Sequence, residues 1–206
     1  AYERFTEAGP VAMLPITNGR TAFVWILGTD AADDMLELDD DAFTGALADA
    51  FGTRLGEFSR VGVRNAYPLG LSKALRLTSG RAVLVGNAAH GLHPVAAQGF
   101  NLGLRDVAAL CDCIADELAA DGFRDIGSPR VLDHYAEWRK PDQDKLVAFT
   151  DGLVRLFGSR RPGIRVLRNL GMLGFDFIPG VRRAFARHTM GLAGRLPRLS
   201  RGIPLS

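Results

Sequence analysis

Hydrophobic and polar positions follow different periods in successive stretches of this chain. Residues 10–17 and 20–28 are apolar runs rich in strand formers. Asn18-Gly19 joins them, a pair that tolerates positive φ, so an antiparallel hairpin is predicted. From about Asp40 acidic residues crowd a first turn and Phe43, Leu47 and Phe51 repeat every fourth position, which predicts a helix ended by Gly52. From Val61 the apolar Val63, Tyr67, Leu69, Leu71, Leu75 and Leu77 sit at odd positions, with Arg64, Arg76 and Thr78 at even ones. That period of two predicts one or two strands with one buried face.

At Arg81 the texture changes. Ala82, Val83, Leu84 and Val85 run without a polar break between Gly80 and Gly86, the pattern of a strand covered on both faces, parallel and central. After a loop over 86–98, Phe100, Leu104, Val107, Cys111, Ile114 and Leu118 mark one face of a helix ending near Gly122. Strand, glycine loop, helix is the order that places a ligand at a strand's carboxyl end. Ser128-Pro129 suits the cap and first turn of a second helix through Tyr135, Trp138, Leu146, Phe149 and Leu153, kinked at Pro141. Further helical segments are predicted around 164–172 and 179–192, followed by a Pro/Arg/Ser-containing end expected to lack fixed structure.

Composition narrows the class. With 47% hydrophobic and 23% charged residues in 206, disordered, collagenous and disulfide-rich classes are excluded. No apolar run is long enough for a membrane span and no charged-then-apolar leader opens the chain, so the expected compartment is cytoplasmic. The only cysteines, Cys111 and Cys113, point to different faces of a helix and read as small apolar residues. Charge is distributed unevenly: from Arg155 onward there are 11 Arg, no Lys and the single acid Asp176, against 14 basic and 22 acidic residues before. A tail of that kind lies against something acidic, either the rest of the protein or anionic lipid. Nucleic acid is not expected, because the first three quarters are acidic and no stacking aromatics interleave the arginines.

The chemistry concentrates in Gly86-Asn87-Ala88-Ala89-His90-Gly91-Leu92-His93-Pro94-Val95-Ala96-Ala97-Gln98-Gly99-Phe100-Asn101-Leu102-Gly103. Its small residues let backbone approach a ligand, and Gln98-Gly99 falls where the helix begins, so first-turn N–H groups face back into the loop and favour an electron-rich group. Asn87 stands at the strand end, where open α/β sheets bind cofactors. His90 and His93 are three apart, but no third ligand has a metal-site spacing, so no metal is expected. Arg105 and Asp106 are expected to pair locally or to cap neighbouring chain.

Val-Gly-Asn-Ala-Ala-His, His-Pro and Gln-Gly-Phe-Asn-Leu-Gly-Leu-Arg-Asp-Val together resemble the second flavin-binding motif of the aromatic-ring flavoprotein monooxygenases. Within them the chain is most similar to the 2-polyprenyl-6-methoxyphenol hydroxylases of ubiquinone biosynthesis, with Glu3-Arg4-Phe5-Thr6, Leu14-Pro15 and Ala66-Tyr67-Pro68-Leu69 in that branch's order. The resemblance implies an α/β class, α+β in this stretch: an incomplete FAD/NAD(P)-binding hydroxylase fold. Residues 1–77 would belong to the substrate domain, 78–125 to the FAD-binding domain and 126–206 to a C-terminal helical region. The family's Gly-x-Gly-x-x-Gly is absent and the chain opens on Ala1, so it is expected to be the C-terminal part of a longer protein and inactive alone.

The implied cofactor is FAD with NAD(P)H as electron donor, and the implied reaction is hydroxylation of a polyprenyl phenol ring. The implied FAD residues are Gly86, Asn87, Pro94, Ala97, Gln98, Gly99, Phe100 and Asn101; Tyr67, Trp25 and Pro94 would meet substrate, with no catalytic side chain assigned. Asn87 replaces the family's usual aspartate and Ala97 its usual glycine. The Arg-rich helices imply peripheral contact with the inner membrane or with a biosynthetic complex. A non-catalytic scaffold retaining the fold is the alternative.

Overall fold

The computed structural model describes residues 1–92, 98–120, 124–159, 161–177, 179–189 and 194–205. They form two compact units, Ala1–Leu69 with Arg155–Arg168, and Gly70–Val154 with Asn169–Ser206. Helices mix with short antiparallel strands, an α+β arrangement.

In the first unit β1 (Tyr2–Phe5), β2 (Pro10–Pro15) and β3 (Thr21–Trp25) make an antiparallel sheet in that order. The predicted hairpin is present: Asn18 and Gly19 both have φ of 63°, and Val11 and Met13 pair with Trp25 and Phe23. After α1 (Thr29–Glu37) comes α2 (Asp40–Phe51), whose Asp39 cap accepts the Ala42 N–H at 2.8 Å. Gly52, at φ 89°, ends it by donating its N–H to the Ala48 carbonyl at 2.7 Å, a conformation that suits glycine. Phe43, Leu47 and Phe51 are buried with Val11 and Met13 in one core, so the spacing of four marks the covered face. Each such side chain removed from water contributes about 1.5–3 kcal/mol.

The strands predicted from Val61 onward are not present. Only β4 (Ser72–Lys73) forms there, and Val63, Tyr67 and Leu75 are 91%, 78% and 98% exposed. Alternation says which side chains share a face; a strand also needs a neighbour to bond, and residues 54–71 have none among those described.

The second unit contains β4, β5 (Thr78–Ser79), β6 (Ala82–Val83), β7 (His90–Gly91), α3 (Gln98–Ala119) and most of α4 (Pro129–Gly158). The run at 82–85 is not a doubly covered parallel strand: β6 pairs antiparallel with β5, Ala82 is exposed and Val83 half-buried. A parallel partner needs a crossover connection, and the described residues supply none. Leu77, Ala89, Ala109, Cys113, Val131 and Tyr135 form the core. Cys113 is a free thiol whose burial pushes its pKa to about 11, while Cys111 is only half-buried.

On α3 the predicted apolar face is only partly covered: Cys111 is half-buried and Ile114 packs half-buried against the core. Phe100, Leu104, Val107 and Leu118 are 76%, 52%, 48% and 47% exposed, whereas Leu102, Asp106, Ala109, Asp112, Cys113 and Glu117 are buried. Acids turn inward because each meets an arginine: Asp106 meets Arg139, Asp112 meets Arg198 and Glu117 meets Arg130. Helix α3 ends at Ala119, and Gly122 lies outside the described residues.

Helix α4 starts as predicted and continues through Pro141; the Ser128 carbonyl accepts the Leu132 N–H at 3.1 Å, although the Ser128 hydroxyl is buried without a partner among the described residues. Helices α5 (Pro162–Phe177) and α6 (Pro179–Thr189) follow. The chain end, expected to lack structure, is instead held. Pro197 is buried, Arg198 bonds Asp112 through its backbone N–H at 2.9 Å and reaches Asp116 at 2.7 Å, and the Arg195 guanidinium lies 4.0 Å from the Trp138 ring centre. Part of the basic tail therefore rests on the protein's own acids.

Candidate cofactor site

The site is built from a turn and a helix start. A single 3-10 turn, Gly86–Ala88, leaves β6, with Gly86 at φ 57°. Gly86 crosses α3 at Gly103 so closely that a Cβ on Gly103 would lie 3.3 Å from the Gly86 Cα. The crossing favours glycine at 103 by its closeness, and the positive φ favours glycine at 86. Asn87 is exposed at the turn's outer side.

Behind the turn lies a buried polar cluster. His90 is 1% exposed and placed by β7, which pairs it with Lys73, and by an Ala74 N–H donated to the Ala89 carbonyl at 2.8 Å. Its Nε2 is 2.7 Å from Asp106 Oδ2, which also accepts the Gly86 N–H at 3.3 Å. Arg139 Nε donates to Asp106 Oδ1 at 2.8 Å, and another guanidinium nitrogen donates to Asp142 at 2.7 Å. Arg105 Nε also donates to Asp142, at 3.3 Å. Of the two expectations for Arg105 and Asp106, Asp106 caps chain at Gly86, and Arg105 joins the network through Asp142 and not through a local pair. Burial pushes the Asp106 carboxyl up, but hydrogen bonds from His90 and Arg139 and the arginine's charge outweigh it and hold the group below the usual carboxylate range.

At the other end of the loop, α3 opens with Gln98 buried, Gly99 half-buried, and Phe100 and Asn101 exposed. N–H groups in a first helical turn have no acceptor within the helix. Pro94 and Ala97, named above as cofactor residues, and His93 lie outside the described residues. Trp25 and Tyr67 belong to the first unit: Trp25 packs edge-on to Phe43 at 6.3 Å between ring centres, and Tyr67 is exposed. A groove of about 590 Å³ in the second unit, lined by Lys73, Leu75, Leu77, Pro129 and Gln143, contains none of the named cofactor residues. No cluster of His, Cys, Asp or Glu able to hold a metal occurs among the described residues.

Sequence reasoning missed Arg139 and Gln143. Its signal was available: Leu132, Tyr135, Arg139, Gln143, Leu146 and Thr150 recur at helical spacing and all are buried, so polar residues on an otherwise apolar stripe announce buried partners.

Residues 1–150 match the family model described as FAD binding domain, and the chain belongs to that family of flavin-binding proteins. Among its relatives, ubiquinone hydroxylase UbiL of Rhodospirillum rubrum is 41% identical over all of this chain and 48% of its own length. The 3-demethoxyubiquinol 3-hydroxylase of Escherichia coli is 30% identical over 93% of the chain and 48% of its own. The chain spans about half the length of the curated relatives it matches. Among solved structures, the Diels-Alderase PyrE3 superposes with a TM-score of 0.67 at 24% identity over 95% of this chain and 41% of that one, which shows the shared fold.

The residues present fit a flavin. The Gly86–Ala88 turn packs on α3 at Gly103, Asn87 on that turn offers an exposed amide able to accept from a hydroxyl, and the 22-residue α3 opens with first-turn N–H groups that have no acceptor within the helix.

Proposed function

We propose that this chain is part of an FAD-dependent monooxygenase that hydroxylates the aromatic ring of a polyprenyl phenol in ubiquinone biosynthesis, using NAD(P)H and oxygen. The observation that carries the reading is the close-packed Gly86 turn bearing exposed Asn87, set on the same helix whose first turn bears Gly99, Phe100 and Asn101. The identity to two ubiquinone-pathway hydroxylases supports the substrate class.

Bound FAD supplies the redox and oxygen chemistry. The chain's own part is to bind and to bias charge. The Asn87 amide oxygen would accept from a hydroxyl of the cofactor, with roughly half the hydrogen-bond strength an ionised aspartate would give. The α3 N-terminus favours negative charge beside it by about 0.3–1 kcal/mol, up to about 2 in partly buried geometry, or at most about one and a half pKa units. That would favour negative charge on a bound cofactor without securing it alone. Pro94 would face substrate and Ala97 would shape the turn before α3. Exposed Phe100 supplies apolar surface that helps exclude water once covered. Trp25 and Tyr67 are proposed to meet the phenol.

A polyprenyl tail is best presented from a bilayer. No described helix is long and apolar enough to cross one, but α5 exposes Val166, Leu167 and Leu170, and α6 exposes Arg183 and Arg187. Such a mixture suits peripheral contact with an anionic membrane face, and the inner membrane is the proposed location.

The test is to express the full reading frame that contains this chain, titrate it with FAD, and follow hydroxylation of a short-chain prenyl phenol by mass spectrometry with NADH or NADPH. Stoichiometric flavin and a product heavier by one oxygen are expected, with neither from the 206-residue chain alone. Absence of flavin and product from the full protein would overturn the reading.

A further inference from the structure

Asp106 stands two turns inside α3 yet bonds backbone twenty residues earlier, at Gly86. Gly103 and Asp106 are three apart and share a face of α3. Gly103 meets the Gly86 Cα, and Asp106 meets the Gly86 N–H. One contact makes a pivot about which the turn could still rotate; the second removes that freedom. His90, two residues past the turn, adds a third point on the same carboxylate at 2.7 Å. An ionised carboxylate only accepts hydrogen bonds, so Nε2 is the His90 nitrogen that carries the hydrogen. His90 Nδ1 is buried with no partner among the described residues, so the ring's one described polar tie is to Asp106. Arg139 holds the other carboxylate oxygen and is itself oriented by Asp142. Apolar side chains could fill this volume, but they would not be directional.

We infer that Asp106, His90 and Arg139 are positioning residues that fix the angle between the Gly86–Ala88 turn and the first turn of α3, so that both address one flavin. The inference rests on the flavin reading above and adds a role for side chains that need not touch the cofactor.

The experiment compares His90→Leu, His90→Gln and Asp106→Asn in the protein expressed from the full reading frame. Amide exchange at Gly86, FAD affinity and the visible circular dichroism of bound flavin are measured, with far-ultraviolet dichroism as the folding control. His90→Leu is expected to speed Gly86 exchange, weaken FAD about tenfold, the loss of one good hydrogen bond, and alter the flavin signal at unchanged helix content. His90→Gln, which can still donate to Asp106, is expected to restore all three. Equal losses in His90→Leu and His90→Gln would overturn the inference, since packing alone would then be at work; so would wild-type behaviour of His90→Leu. If even the wild-type protein takes up no FAD, the flavin reading fails. Gly86 exchange then still decides: faster exchange in Asp106→Asn supports the clamp, and unchanged exchange refutes it.

Discussion

Helices α2 and α3 carry equally regular apolar stripes and use them in opposite ways. On α2, Phe43, Leu47 and Phe51 are covered by the β2 residues Val11 and Met13, and the helix is bounded by a capping aspartate and a stop glycine. On α3, Phe100, Leu104 and Val107 are open, while the opposite side buries three acids, each against an arginine. An apolar stripe therefore identifies a face suited to cover, not the face that a given stretch of chain covers. Helix α3 joins ion pairs to apolar contacts through Leu102, Ala109 and Cys113, whereas apolar area chiefly holds α2. Ion pairs are directional and sensitive to pH; apolar contacts are tolerant in direction and sensitive to volume.

The largest effect is expected on the ionic side. Arg139→Ala leaves the buried Asp106 charge without its arginine and is expected to cost about 3–5 kcal/mol in urea unfolding followed at Trp138; a cost below about 1 kcal/mol, the level of an exposed pair, would erase the contrast. On the apolar side Leu47→Ala is expected to cost about 2–5 kcal/mol, followed at Trp25, in proportion to the cavity it leaves. Acid separates the two helices without a core truncation. Because the folded Asp106 pKa is lowered, its contribution is fully present above the ordinary unfolded value of about 3.9 and disappears as pH falls through the folded value. Asp106→Asn should flatten that part of the stability profile below about pH 4, where Leu47→Ala should leave its shape unchanged. Asp39→Ala removes the α2 cap and is expected to cost about 1 kcal/mol by thermal melting. The smallest effect is expected from Phe100→Ala, within about 0.5 kcal/mol for the 206-residue chain, because that side chain is 76% exposed.

The same contrast explains what could be read from the sequence. The Asn18-Gly19 hairpin, the α2 stripe and the start of α4 at Pro129 depend on residues within a few positions of one another, and all are present. The resemblance carried by Gly86 to Val107 led to the FAD-binding family that residues 1–150 match. Long-range partners were not legible. Nothing local shows that Val63 and Leu75 have no strand to pair with among the described residues, or that Ala82 and Val83 turn back on Thr78 and Ser79. Arg198 binding Asp112 across 86 residues is likewise invisible to period or propensity. At the site, the glycine turn before a helix was legible, and the buried stripe of α4 marked Arg139 as inward-facing, but its partners Asp106 and Asp142 were not legible, because those contacts exist only once α4 lies against α3.

A crystal structure of the protein from the full reading frame, grown with FAD, tests most directly whether the Gly86 turn and the start of α3 jointly receive a flavin. Flavin atoms are expected within hydrogen-bond distance of the Asn87 side chain and of the backbone N–H groups at residues 99–101. A flavin bound elsewhere, with Asn87 and that helix turn facing solvent or other protein, would contradict this placement.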